Sequence, residues 1–238
     1  MKFVFLPGMD GTGLLFEPIL KLMAESTPTL VLSYPLDRIL GYEEIKSYIS
    51  SRLPVNEPYV LITESYGGVI AVQIAAKHPS MLRGLVLSAT FVRRPRGWFG
   101  SWCRFLVGPY LFRGRWPRII ARISMKLQGI SGGLMELIVK ALESARPDVH
   151  AARLKEVLEV DAFEDLRECE VPVLCLYAER DLFLADHCHE LIRKANPKVK
   201  MVGFDTPHFL LQVKPAEALR EIQAFTRALS AHVLETSS

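Results

Sequence analysis

Between Ser65 and Met135 the chain has no aspartate and no glutamate, yet the same stretch holds nine Arg and two Lys. All 26 acidic residues therefore lie elsewhere, so a net charge of only +3 conceals a strong asymmetry along the chain. Cysteine is scarce as well. Cys103, Cys169, Cys175 and Cys188 are too few for a disulfide scaffold and lack metal-ligand spacing, so reduced thiols are expected. No window reaches the eighteen or so uninterrupted apolar residues of a membrane span. The apolar start, Met1 to Leu6, imitates a signal peptide, but Pro7-Gly8 ends it early and no small-residue cleavage site follows. Low-complexity tracts and fixed-period repeats are missing too. These absences leave a cytoplasmic globular chain as the expectation. With 238 residues, half of them hydrophobic, it can build one substantial core.

What is present is an alternation. Short apolar runs at Lys2–Leu6, Thr29–Ser33, Tyr59–Thr63, Gly84–Ser88, Val173–Tyr177 and Val199–Phe204 are continuous rather than alternating, as in parallel strands buried on both faces. Helical patterns separate them at Leu14–Glu25, Tyr42–Arg52, Gly67–Lys77, Phe183–Lys194 and Pro215–Ser230. Strand and helix in turn imply βαβ units and a doubly wound α/β sheet. Residues 91–163 break the rhythm. They contain no convincing strand and read as helices cut by Pro95, Gly97, Gly108-Pro109, Gly114, Pro117 and Gly129 to Gly133. The expected division is a core of 1–90 and 164–238 carrying a helical lid at 91–163. Such an insertion sits above the carboxyl ends of the strands, where open α/β sheets bind ligands.

Three loops carry the chemistry. Tyr59–Thr63 runs into Glu64-Ser65-Tyr66-Gly67-Gly68 and then a helix, the setting of a nucleophile elbow. Thr63 stands where a glycine is usual; Gly67 supplies the small neighbour on the other side. A plain N-cap at Ser65 is the competing reading. Asp181, in Ala178-Glu179-Arg180-Asp181, follows the fifth strand and is either the acid of a triad or a cap for the next helix, with Asp186 and Asp205 as fallbacks. His208, in Asp205-Thr206-Pro207-His208-Phe209, follows the sixth strand and is the candidate base. His78, His187 and His189 fit helix ends or surfaces better. The chain order Ser, Asp, His joins the three pieces. A hydroxyl becomes nucleophilic when an imidazole takes its proton and a carboxylate holds that imidazole. The oxyanion formed needs fixed donors, here the backbone N–H groups of Tyr66 and, from the first loop, Met9. That first loop is not a dinucleotide fingerprint, because Gly8, Gly11 and Gly13 are wrongly spaced and the second strand ends Ser33-Tyr34-Pro35 without an acid. Nor is it a phosphate loop, since no Lys-Ser/Thr pair follows Gly13.

Taken together, Leu-Pro-Gly-Met-Asp-Gly-Thr-Gly, Glu-Ser-Tyr-Gly-Gly, Glu-Arg-Asp and Pro-His-Phe resemble the α/β-hydrolase superfamily, in its small esterase and thioesterase-like branch. The resemblance covers the chain outside the insertion. It implies about six mainly parallel strands, the triad Ser65, Asp181 and His208, and cleavage of esters with an apolar acyl group through an acyl-enzyme, without metal or cofactor. Acyl thioesterase or acyltransferase activity on acyl-CoA or acyl carrier protein is the alternative, and a non-catalytic lipid-binding module the outsider. Pro7-Gly8 replaces the family's common His-Gly. Residues 91–126 gather eight Arg, one Lys and all three Trp. Trp98, Trp102, Phe105 and Phe209 are the expected contacts to substrate. The basic aromatic surface suggests peripheral contact with anionic lipid or an acyl carrier protein, and no nucleic acid. Activity should rise with pH through the range of an ordinary histidine, around pH 6–7.

Overall fold

A computed structural model describes residues 1–95, 101–184 and 187–236, apart from the side chains of Ser101, Trp102, Cys103, Trp116 and residues 231–236. Six strands, β1 (Lys2–Leu6), β2 (Thr29–Val31), β3 (Tyr59–Glu64), β4 (Leu82–Ser88), β5 (Val173–Ala178) and β6 (Lys200–Phe204), form one sheet in the order β2-β1-β3-β4-β5-β6. Every pairing is parallel. Side chains alternate between the faces with the period of a strand. Val4, Leu6, Leu61, Leu85, Leu87 and Cys175 enter one core cluster. Phe3, Phe5, Ile62, Val86, Leu174 and Leu176 enter the other. Both faces are apolar because both are covered, and that is why the sequence shows continuous runs.

The first core is closed by α2 (Tyr42–Ser50), α3 (Tyr66–Ala75), α7 (Phe163–Arg167) and α8 (His187–Ala195), and the second by α1 (Glu17–Leu20), α9 (Leu210–Val213) and α10 (Pro215–Thr236). The long first helix expected over 14–25 is not there. A 3₁₀ turn, Leu14–Phe16, leads into the single turn of α1, after which Leu22 and Met23 donate back only three residues, to Ile19 and Leu20. Pro18, in the first turn of α1, has no N–H to carry a helix through from Leu14. The sequence pattern starts the helix before β6 near Phe183, whereas α8 starts at His187. No described helix is long and apolar enough to cross a membrane.

Between β4 and β5 the chain leaves the sheet. Arg93 and Asp161 form an antiparallel bridge, flanked by bonds from Ala162 N–H to Val92 C=O (2.7 Å) and from Arg94 N–H to Val160 C=O (3.0 Å). Above this neck stand two 3₁₀ turns, Ser101–Leu106 and Pro109–Phe112, and the helices α4 (Arg115–Leu127), α5 (Gly132–Ser144) and α6 (Pro147–Val157). The charge asymmetry has a local answer here. Arg118 pairs with Glu143, Arg122 with Glu136, and Arg104 with Glu159, so these cations meet acids from later in the same segment. Such exposed pairs contribute about 0–1 kcal/mol each. Residues 91–163 still hold 13 basic against 6 acidic residues, so the segment remains strongly basic.

The strand order reverses between β1 and β3: from β1 the chain builds outward to β2, then crosses back. Ligands of open α/β sheets bind in the crevice at that switch point. The loops that leave β1 and β3 meet there, and a Cβ on Gly67 would lie 2.4 Å from the Pro7 carbonyl oxygen.

Candidate active site

Ser65 links β3 to α3 with φ 51° and ψ −121°, a left-handed conformation rare for a residue with a side chain. The turn is held by Ser65 N–H donating to Ser88 C=O (2.9 Å) and by the Thr90 hydroxyl donating to Ser65 C=O. Thr63 fits in the glycine position because its hydroxyl is turned into the sheet, donating to Val86 C=O at 3.1 Å. The Ser65 hydroxyl does not cap α3. It lies 3.0 Å from His208 Nε2 instead, and His208 Nδ1 lies 2.6 Å from Asp181 Oδ2. The two oxygens of Asp181 are divided: Oδ1 accepts the N–H groups of Phe183 (2.8 Å) and Leu184 (2.9 Å) in the bend ahead of α8, while Oδ2 faces the imidazole.

The other histidines and acids lie elsewhere. His78 sits near Glu170, His189 stacks on Tyr177, and Asp205 is exposed and paired with Arg180. Asp186 and Trp98 fall outside the described residues, as does the side chain of Trp102. Phe105 is 76% exposed with the Arg104 guanidinium over its ring. Phe209 meets the His208 ring edge-on (centroids 5.6 Å apart) and packs on an apolar cluster that includes Leu15, Met125, Met135 and Ile138. It thereby ties α4 and α5 to the His208 loop. Phe183, half exposed, completes an aromatic rim beside the imidazole. A charged surface cleft of about 760 Å³ at the neck, lined by Arg93, Asp161 and Glu190 among others, includes none of these residues.

Two loops flank the serine and carry the expected oxyanion donors, Tyr66 N–H and Met9 N–H. Tyr66 N–H is the first of α3 and, like every first-turn N–H, has no partner within its helix. In the first loop, Gly8 packs on Ser65; a Cβ at Gly8 would lie 3.5 Å from Ser65 Cβ. Gly8 C=O accepts Gly11 N–H at 3.1 Å, closing a turn that needs Gly11 at φ 76°. In a trans peptide N–H and C=O point opposite ways, so Met9 N–H is directed out of that turn.

Burial is the largest single influence on His208 and opposes its charge. The Asp181 charge, the Asp181 hydrogen bond and the Glu64 charge together outweigh it, and the imidazole titrates above its ordinary 6.5. A base must be neutral to accept a proton. The acid limb of kcat/KM is therefore expected above pH 6.5, later than an ordinary histidine implies.

Sequence reading overlooked Glu64. Its carboxyl is buried, accepts Gln212 Nε2 at 3.0 Å through Oε2, and leaves Oε1 without a partner among the described residues. Burial pushes it up to about 7 against the pull of His208 and Gln212, with Asp10 adding to the rise. A carboxyl raised above its unfolded value leaves the fold most stable below pH 4.5. Stability is then lost up to about pH 7, by roughly 3 kcal/mol at 1.36 kcal/mol per unit. Glu64→Gln is expected to raise the melting temperature above pH 7 by a margin that closes toward pH 4.5, and to move the acid limb of kcat/KM to lower pH. Melting curves from pH 4 to 9 check this; a margin independent of pH would contradict it.

A family model described as serine aminopeptidase, S33, matches residues 42–203, more than half of the chain. No curated protein sequence matches significantly. Among solved structures, a thermophilic esterase from Thermogutta terrifontis superposes with TM-score 0.79 at 19% identity, covering 96% of this chain and 90% of that one. An esterase from Rhodococcus sp. ECU1013 gives 0.77 at 21%, covering 96% and 91%. A bromoperoxidase from Bacillus anthracis gives 0.79 at 14%, covering 95% and 91%. At such identities the likeness is one of fold, and the differing activities in those names show that the fold alone does not select the reaction.

Proposed function

The chain belongs to the serine aminopeptidase S33 family of α/β-hydrolases, and from that premise we propose that this hydrolase cleaves carboxylic esters through an acyl-enzyme on Ser65. The observation that carries the proposal is the unbroken line Ser65 Oγ, His208 Nε2, Asp181 Oδ2, at 3.0 and 2.6 Å, on a left-handed elbow beside the first loop. His208 Nε2 takes the hydroxyl proton as Ser65 Oγ bonds to the ester carbonyl carbon. The carbonyl oxygen becomes an oxyanion facing the N–H groups of Met9 and Tyr66. Collapse breaks the bond to the alkoxy oxygen, which leaves as the alcohol with the proton from His208. Water repeats the sequence on the acyl-enzyme, releasing the acid and restoring Ser65. The aromatic rim of Phe183 and Phe209 supports an apolar acyl group, with 91–163 acting as lid. Among the described residues, none on the rim favours a thioester or a second acceptor over an oxygen ester.

An organophosphonate is expected to add its mass at Ser65 and to abolish hydrolysis of p-nitrophenyl esters, whose rates should peak at an intermediate length between two and sixteen acyl carbons. Turnover of aminoacyl p-nitroanilides with none of the esters would overturn the ester assignment and leave the serine mechanism standing. No label at Ser65 and no turnover of either would overturn both.

A further inference from the structure

Arg153 and Glu156 lie on one face of α6, three residues apart, and each reaches out of the insertion into the hydrolase core. Arg153 is 2% exposed, which is rare for an arginine. Among the described residues its guanidinium donates to no carboxylate. Nη1 binds Met9 C=O (2.8 Å) and Asp10 C=O (3.1 Å), and Nη2 binds Pro35 C=O (2.8 Å). The fit is close: a Cβ on Gly11 would come within 2.6 Å of Nη1. Glu156 holds the other side. Its Oε2 accepts the Tyr66 hydroxyl at 2.6 Å, and its Oε1 accepts Tyr42 N–H at 2.6 Å. Burial, foremost, holds the Tyr66 phenol well above its ordinary range, so it stays a donor. The Tyr66 ring stacks on Tyr42 (centroids 4.7 Å apart) and meets Tyr34 edge-on. Tyr34 in turn donates to Pro7 C=O at 2.8 Å.

Arg153 thereby ties the Met9-Asp10 loop to Pro35, and Glu156 ties Tyr66 to Tyr42, so both act on the two segments whose N–H groups the proposed mechanism aims at the oxyanion. We infer that α6 is a clamp that sets the spacing of the oxyanion donors, with Arg153 as the positioning residue for the Met9 loop and Glu156 for Tyr66. The inference rests on the serine mechanism above. Planar forked donors suit the task, since the guanidinium puts a separate nitrogen on each loop, Nη1 on Met9 and Asp10 and Nη2 on Pro35, where an ammonium offers a single nitrogen on a flexible stem. The charge acts as well. A buried cation beside the loop adds positive potential where negative charge develops in the transition state. The insertion is thus part of the catalytic frame as well as a cover over it.

The test compares Arg153→Lys, Arg153→Met and Tyr66→Phe with the wild type, using p-nitrophenyl esters and a trifluoromethyl ketone that adds to the serine as a tetrahedral oxyanion. Loss of one oxyanion donor costs about 10²–10³ in rate. Arg153→Met is expected to approach that loss in kcat, Arg153→Lys to lose about 10- to 100-fold, and Tyr66→Phe less, each with little change in KM. Ketone affinity should fall in proportion to kcat/KM, which a purely structural defect would not produce. Should Arg153→Met fail to fold, the two milder variants carry the comparison at matched melting temperature. Wild-type kcat and ketone affinity in Arg153→Lys and Tyr66→Phe would overturn the clamp, as would lost kcat with retained ketone affinity. A wild-type protein with neither ester turnover nor label at Ser65 would instead remove the serine mechanism, and the clamp with it.

Discussion

Alanine at position 65 is expected to lower kcat on p-nitrophenyl esters by about 10⁶-fold, the scale of loss when the nucleophile of a serine triad is removed. The size follows from the geometry. His208 Nε2 has one catalytic partner, the Ser65 hydroxyl at 3.0 Å, and without it the imidazole can only recruit water with no fixed position. Residual turnover of about 10³–10⁴ over water from the oxyanion donors would persist. Because the three residues act as one unit, His208→Ala in the Ser65→Ala background should cost little more. Fold is not at risk, since Ser65 makes no cap and its φ of 51° is kept by its N–H bond to Ser88 C=O and by the Thr90 hydroxyl donating to its C=O. Steady-state kinetics on protein purified away from host esterases decide the matter. Turnover within tenfold of wild type would place the chemistry on another residue.

Asparagine at position 181 should cost about 10⁴-fold in kcat with KM nearly unchanged. The reason lies in which oxygen does what. Asp181 Oδ1 accepts two backbone N–H groups, from Phe183 and Leu184, so an asparagine must present its carbonyl oxygen there. Its NH₂ then faces His208 Nδ1, where the native Oδ2 stands at 2.6 Å. A donor at that point forces the imidazole to carry its proton on Nε2, and a protonated Nε2 cannot take one from Ser65. The two backbone N–H groups also prevent the amide from flipping to relieve the mismatch, because a flipped NH₂ would meet two donors. A loss below about tenfold would mean that Asp181 is only a cap.

Much of this was legible in one dimension, and the reason is the range of the forces involved. Hydrophobic patterning is local, so the six strands appear as apolar runs, and edge strand β2, which is less covered, ends two residues sooner than its run. The meeting of Ser65, His208 and Asp181 is legible because each follows a strand end, and a parallel sheet delivers all those ends to one rim. Helix starts are less so: Pro18 broke one pattern, and the Asp181 turn displaced the start of α8. The pairing of charges across the insertion was not legible: Arg104, Arg118 and Arg122 of the acid-free stretch 65–135 meet Glu159, Glu143 and Glu136, which follow it in the chain.

What the sequence determined by itself, then, is the sheet, the order Ser65, Asp181, His208 and the loops that carry them. What only the tertiary structure decided is how the site is braced. Arg153 does leave one trace, an arginine four residues after Val149 and four before Val157 on an apolar stripe, and Glu64 lies beside the nucleophile. Neither position says what the side chain meets: Met9 and Pro35 are more than a hundred residues from Arg153, and Gln212 is as distant from Glu64. Local periodicity encodes burial, which acts on each residue separately. A buried charge is defined by its partners, and those are known only once the chain has closed on itself.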